Sequence, residues 1–264
     1  MHWFTNTFQP RGVRVSSKNS AWKRVIFSGA ALCFLLLSLG SCGSPSGESQ
    51  QSGSRSLVIQ QPPKARLTYV AVGASDTFGI GADDPETQNW PSDLAMLLGP
   101  GVHLINLGIP GVVLHQALDA EVPVAIDAHP NLITIWLAVN DLGNDVPINS
   151  YAHDLDLLLS RLQRGAPQAR IVIANVPDLR LVPYFSYIDT QILYARVQSY
   201  NAVIAAAVKR HHVILIDLFS RWQELRQHPE YISGDGFHPS TLGYAKLAEL
   251  FYQTLKSLGK GSQG

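Results

Sequence analysis

From Leu67 onward, apolar stretches of strand length alternate with amphipathic stretches of helix length, and the alternation repeats five times. Runs near 67–73, 102–107, 131–138, 170–176 and 212–218 read as strands, and segments near 91–99, 113–127, 150–165, 190–210 and 240–258 read as helices. The first run, with Leu67, Tyr69, Val70, Ala71 and Val72, is nearly continuous in apolar residues, the pattern of a strand covered on both faces. Strands alternating with helices predict a parallel sheet between two helical layers. The expected fold class is α/β, a flavodoxin-like three-layer α/β/α sandwich with a five-stranded parallel sheet. In such a sheet the loops after successive strands open on one edge, where ligands bind. Ser75, Gly111, Asn140, Asp178 and either Asp217 or Asp235 are expected in loops on that edge.

Upstream of this alternation the pattern is different. Residues 1–41 carry Arg11, Arg14, Lys18, Lys23 and Arg24 and no acidic residue, and an apolar run extends from Val25 to Leu39. That run is shorter than the roughly 20 residues of a spanning helix. A small-residue site, Leu39-Gly40-Ser41-Cys42, follows it, so 1–41 read as a secretory signal peptide. The stretch is similar to a bacterial lipobox, which implies cleavage before Cys42 and lipid on that cysteine; the other reading is an uncleaved anchor helix. Residues 43–64 are rich in Gly, Ser, Gln and Pro and read as a flexible linker following the lipidated cysteine. The 65–264 segment is then one domain with a single core, without internal repeats. The protein is expected to be exported and anchored to a membrane by lipid. The residue directly after Cys42 is Gly43 and carries no acidic retention signal, which favours the outer membrane in a source that has one.

Removing the leader changes composition in two ways. Cys33 leaves with it and Cys42 takes the lipid, so the mature domain has no cysteine and needs no disulfide. The five basic residues also leave, and the balanced charge of the whole chain becomes net acidic. A nucleic-acid partner, which needs a basic face, is not expected.

Candidate chemistry begins at Val70-Ala71-Val72-Gly73-Ala74-Ser75-Asp76-Thr77-Phe78-Gly79, where a strand runs into a glycine-bounded turn that lifts one hydroxyl, Ser75. A serine hydroxyl needs a histidine to take its proton and a carboxylate to orient that histidine. Gly234-Asp235-Gly236-Phe237-His238-Pro239 supplies both, three residues apart in a tight loop. Alone, Asp235 and His238 also read as caps before the last helix. Asp217, ending the strand Val213-Ile214-Leu215-Ile216, competes for the orienting role. Asp235 is preferred because it neighbours His238. Asp76 reads as a turn or capping residue.

These stretches, with Asn106-Leu107-Gly108-Ile109-Pro110-Gly111 and Ala138-Val139-Asn140-Asp141-Leu142, stand in the order of four sequence blocks. The chain resembles an SGNH hydrolase of the GDSL esterase/lipase superfamily over residues 66 to 258. The resemblance implies a carboxylic-ester hydrolase with Ser75 as nucleophile, His238 as base and Asp235 as orienting acid. It also implies an oxyanion hole of the Ser75 and Gly111 amides and the Asn140 side chain. One departure is visible: Ala74 stands where the family name has its aspartate, which bears on subfamily and substrate. An O-acyltransferase would use the same residues, and a non-catalytic carbohydrate- or solute-binding lipoprotein is a further reading.

Other chemistries find less support. Gly79-Ile80-Gly81 hints at a dinucleotide loop, but Asp84 occupies the third-glycine position. The histidines lack the His-x-x-x-His spacing of a metal site, and no metal or cofactor is expected. The expected partner is a small-molecule, carbohydrate or lipid ester. Residues 176–188, rich in proline and aromatics, read either as a rim shaping an acyl or alcohol pocket or as a loop over the sheet edge. Trp90-Pro91 reads as a helix start with a core tryptophan.

Overall fold

The computed structural model of the protein describes residues 65–261. The expected signal peptide, Cys42 and the linker through residue 64 lie outside the described residues. Strands β1 (Leu67–Gly73), β2 (Val102–Asn106), β3 (Leu132–Trp136), β4 (Arg170–Ala174) and β5 (Ile214–Ile216) form one sheet. Its order is β2-β1-β3-β4-β5 and every pairing is parallel, which is the flavodoxin-like arrangement. Every residue of β3 is buried, as are the last five of β1, whereas the edge strands β2 and β5 are mostly half-covered. Strand position in the sheet thus explains which apolar runs are continuous.

The connections are helices α1 (Ser75–Phe78), α2 (Trp90–Leu98), α3 (Leu114–Ala120), α4 (Val122–Asp127), α5 (Val139–Gly143), α6 (Ile148–Gly165), α7 (Thr190–His211), α8 (Leu218–Arg221) and α9 (Thr241–Gly261). Helices α2 and α9 pack together, with the Trp90 ring stacked on Phe251 at 4.4 Å. Helix α6 packs against α3, α4 and α7. Right-handed crossovers between parallel strands put these two groups on opposite faces of the sheet. Trp90 opens α2 as its sequence predicts: the Asn89 side chain accepts from the Ser92 amide, and Pro91 follows in the first turn.

Three expectations are corrected. The helix expected over 113–127 is two helices, α3 and α4, parted at Glu121. Pro123, which has no amide hydrogen, cannot continue the ladder of α3 and instead opens α4. Ser75 and Asn140, expected in loops, lie in the short helices α1 and α5. The strands are also shorter than their apolar runs. His212 sits at φ 53° as the left-handed end of α7, delaying β5, and β3 stops at Trp136 before Ala138 at φ 142°. Such an angle is strained for a residue with a Cβ, and it lies at the turn into Asn140.

The break at Glu121 has an electrostatic role. Its side chain is buried beneath the sheet edge, where one carboxyl oxygen accepts from the Gly73 amide at 2.8 Å and the other has no partner. Burial raises its pKa from the ordinary 4.5 to about 8, against the lowering effect of the Gly73 bond. Between those values the folded protein keeps a proton that the unfolded chain releases, so this group makes stability fall as pH rises. Glu121→Gln removes that dependence. Chemical denaturation between about pH 5 and pH 8 should show the unfolding free energy declining less steeply in the variant, by about 1.4 kcal/mol per pH unit. An unchanged slope would mean that Glu121 is already ionised in the folded state.

Candidate active site

Strand β1 delivers Ser75. A Cβ on Gly73 would lie 2.0 Å from Thr77 Oγ1, so only glycine lets α1 fold back tightly over the strand end. Ser75 then begins α1 with its side chain nearly covered, and among the described residues its amide has no hydrogen-bond partner. Gly79 closes the turn at φ 112°.

His238 reaches the serine from the other end of the chain. Its Nε2 lies 3.0 Å from Ser75 Oγ and its Nδ1 lies 2.6 Å from Asp235 Oδ2. The other Asp235 oxygen accepts from Ser233 Oγ at 2.8 Å and from the Phe237 and His238 amides at 2.8 and 3.0 Å. Burial opposes charge on Asp235. The donors outweigh it, the imidazole first among them, and hold the carboxyl well below the usual carboxylate range. The loop is fixed by the Ser233 amide donating to the His238 carbonyl and by Gly236 at φ 74°.

Gly81 presses against this loop. A Cβ there would come within 2.5 Å of the Pro239 carbonyl oxygen and 2.9 Å of His238 Cβ. The Gly79-Ile80-Gly81 segment that hints at a nucleotide loop therefore serves close packing of the two halves of the site. Tyr244, buried on α9, anchors the segment by donating to the Ile80 carbonyl at 2.6 Å.

The remaining two blocks are joined to each other. Asn140 Nδ2 donates to the Val112 carbonyl at 2.9 Å, which leaves its second amide hydrogen free. Both oxygens of Asp141 accept from the Leu114 amide at 3.1 Å. Burial pushes the Asp141 carboxyl up to about 6, partly offset by that bond. Gly111 sits at φ 81°, exposed, with open space where a Cβ would be. Its loop lies tight against α1, since a Cβ on Gly108 would fall 2.4 Å from the Phe78 amide. Ser75, Gly111 and Asn140 thus come from three segments held together by backbone contacts and hydrogen bonds.

Asp217, the competing carboxylate, is engaged elsewhere: it caps α8 through the Ser220 amide and takes Asn175 Nδ2 at 2.8 Å. Asp178 pairs with Arg180 through two contacts of 2.7 Å. The 176–188 segment proves to be a wall. Leu179 and Val182 line a narrow apolar cleft with Trp136, Trp222 and Phe237. The Tyr184 amide donates to the Gly236 carbonyl at 2.9 Å, and Phe185 meets Phe237 edge-on at 5.6 Å. Among the described residues, no cluster of three or more His, Cys, Asp or Glu side chains is arranged to hold a metal.

Sequence reasoning missed Glu121, Asp141 and Gly81. Gly81 leaves a signal in its glycine spacing, whereas the two acids look like ordinary helix residues until their long-range amide partners are known.

The GDSL-like lipase/acylhydrolase family pattern matches residues 71–246. Among solved structures, the Clostridium thermocellum family 3 carbohydrate esterase is similar at 21% identity and TM-score 0.59, covering 75% of this chain and 99% of that one. The psychrotrophic esterase EstA from Pseudoalteromonas sp. is similar at 15% identity and TM-score 0.59, covering 74% and 99%. The lipase/acylhydrolase from Enterococcus faecalis is similar at 20% identity and TM-score 0.56, covering 72% and 96%. No match was found among curated proteins. With the family pattern running from the middle of β1 into α9 through all four segments of the site, the chain belongs to the GDSL-like lipase/acylhydrolase family.

Proposed function

We propose that the protein hydrolyses carboxylic esters through a Ser75-His238-Asp235 triad and an acyl-enzyme. The observation that carries this reading is the unbroken run of contacts from Ser75 Oγ to His238 at 3.0 Å and on to Asp235 at 2.6 Å. Ser75 Oγ attacks the ester carbonyl carbon while its proton passes to His238 Nε2. The carbonyl oxygen takes the negative charge, faced by the Ser75 and Gly111 amides and by the free hydrogen of Asn140 Nδ2. Collapse breaks the bond to the alcohol, which leaves with the proton from His238. Water then attacks the acyl-enzyme, His238 takes its proton, and acid and free Ser75 are released. Asp235, ionised throughout, holds Nδ1–H and so keeps Nε2 free to accept.

On the same footing we propose that the enzyme is exported and held at a membrane by lipid on Cys42. The basic leader, the apolar run and the small-residue site before that cysteine support this. Detergent-extracted protein should have an intact mass that starts at a lipid-modified Cys42; a mature chain retaining residues 1–41 would contradict it.

Hydrolysis of p-nitrophenyl acetate and butyrate tests the triad. Ser75→Ala should lower kcat/KM by about a thousandfold or more, and Asp235→Asn by about as much with the fold retained. A Ser75→Ala variant as active as the parent would overturn the assignment.

A further inference from the structure

The turn that carries Asp235 and His238 is closed at its neck by paired backbone, and Ser233 is the innermost rung. Furthest out, the Ser240 amide donates to the Tyr231 carbonyl at 2.8 Å, and next Ile232 and Pro239 form an antiparallel bridge. The Ser233 amide then donates to the His238 carbonyl at 2.8 Å, and the Ser233 carbonyl accepts from the Gly236 amide at 3.0 Å. Its hydroxyl donates to Asp235 Oδ1 at 2.8 Å. All three polar groups of this one residue therefore serve the turn that holds the imidazole, and the proposed reaction gives it no task.

The place of that hydroxyl is also fixed from outside the turn. A Cβ on Gly81 would lie 2.9 Å from Ser233 Oγ and equally 2.9 Å from His238 Cβ, so the absence of a side chain at Gly81 leaves room for the serine and the histidine together. Tyr244 on α9 holds the same segment through the Ile80 carbonyl. The Ser233 hydroxyl thus lies between Gly81 on one side and the Asp235 carboxylate on the other. Within that carboxylate the two oxygens have separate duties. Oδ1 takes the hydroxyl and the Phe237 and His238 amides, which leaves Oδ2 to the imidazole Nδ1 at 2.6 Å.

An aspartate carboxylate turns about its last side-chain bond over a broad range, with no steep well to fix it. The imidazole needs the opposite, one oxygen held in place so that Nδ1 keeps its hydrogen and Nε2 stays turned to Ser75. A donor on the remote oxygen supplies that restraint, and a donor to a charged acceptor is among the stronger hydrogen bonds. Among the described residues, the charged groups that act on the imidazole are Asp235 on its own turn and Asp76 on α1, and the Tyr244 hydroxyl on α9 stands near both carboxylates. A change at Ser233 leaves all of these in the chain. Building on the reading of Ser75 as nucleophile, we infer that Ser233 is a positioning residue, a fourth member of the Ser75-His238-Asp235 row whose hydroxyl orients the carboxylate and, through it, the imidazole.

The test compares Ser233→Ala, Ser233→Thr and Ser233→Val in the whole protein, with p-nitrophenyl acetate as substrate, across about pH 5 to pH 9. Threonine and valine share a branched shape and differ in the hydroxyl, so that pair separates hydrogen bonding from packing. Ser233→Ala and Ser233→Val should lower kcat about tenfold with KM little changed, and Ser233→Thr should keep most of the parent rate. In the alanine and valine variants the acid limb of the kcat/KM profile should also move to lower pH, because a carboxylate that holds Nδ1–H less firmly favours the imidazolium less. Alanine and valine rates within about twofold of the parent overturn the inference. So does an acid limb that stays or moves to higher pH, or a loss carried by KM. A loss in Ser233→Thr equal to that in Ser233→Val overturns it as well, since the residue then acts through packing. Should Ser233→Val fail to fold, alanine against threonine decides. Failure of the underlying reading looks different: the parent is then inert, or Ser75→Ala is as active as the parent.

Discussion

Everything at this site depends on holding one imidazole between a carboxylate three residues away and a serine 163 residues away. The near contact is local and comes from the turn itself, where Asp235 gathers the Ser233 hydroxyl and two amides. The distant contact needs the fold. Parallel strands bring β1 to the middle of the sheet, and α9 returns the end of the chain beside α2. Glycines let backbones meet where a Cβ would not fit, Gly81 against Pro239 and Gly108 against α1. The sheet supplies the edge, and close backbone contact supplies the accuracy.

Carboxyl groups around that edge show how environment sets chemistry. Asp235 is kept ionised because its donors outweigh the losses of burial, whereas burial pushes Glu121 and Asp141 upward and the single amide that each takes from another residue offsets it only in part. These last two hold the ends of the site, Gly73 and Leu114, from below. Depth and the number of donors together separate the exposed Asp235, held by four donors, from the buried carboxyls that brace the scaffold.

Much of this was legible in the sequence because it is written in local chemistry. Apolar runs marked the strands, Asn89-Trp90-Pro91 marked a helix start, and Asp235 and His238 share one turn. Ser75, Gly111 and Asn140 could be placed on the right edge because strand ends are predictable. What escaped depends on contacts distant in sequence. Glu121 belongs to a segment whose periodicity reads as one helix, and only its bond to Gly73 gives the break at Pro123 a purpose.

The most direct measurement is covalent capture of the serine. The protein is incubated with a fluorophosphonate, digested, and the modified peptide sequenced by mass spectrometry, in parallel with His238→Ala. The predicted result is a single adduct on Ser75 whose rate of formation collapses when the imidazole is removed, because an unassisted hydroxyl is a weak nucleophile. An adduct on another serine, or labelling of Ser75 at an equal rate in His238→Ala, would contradict the account.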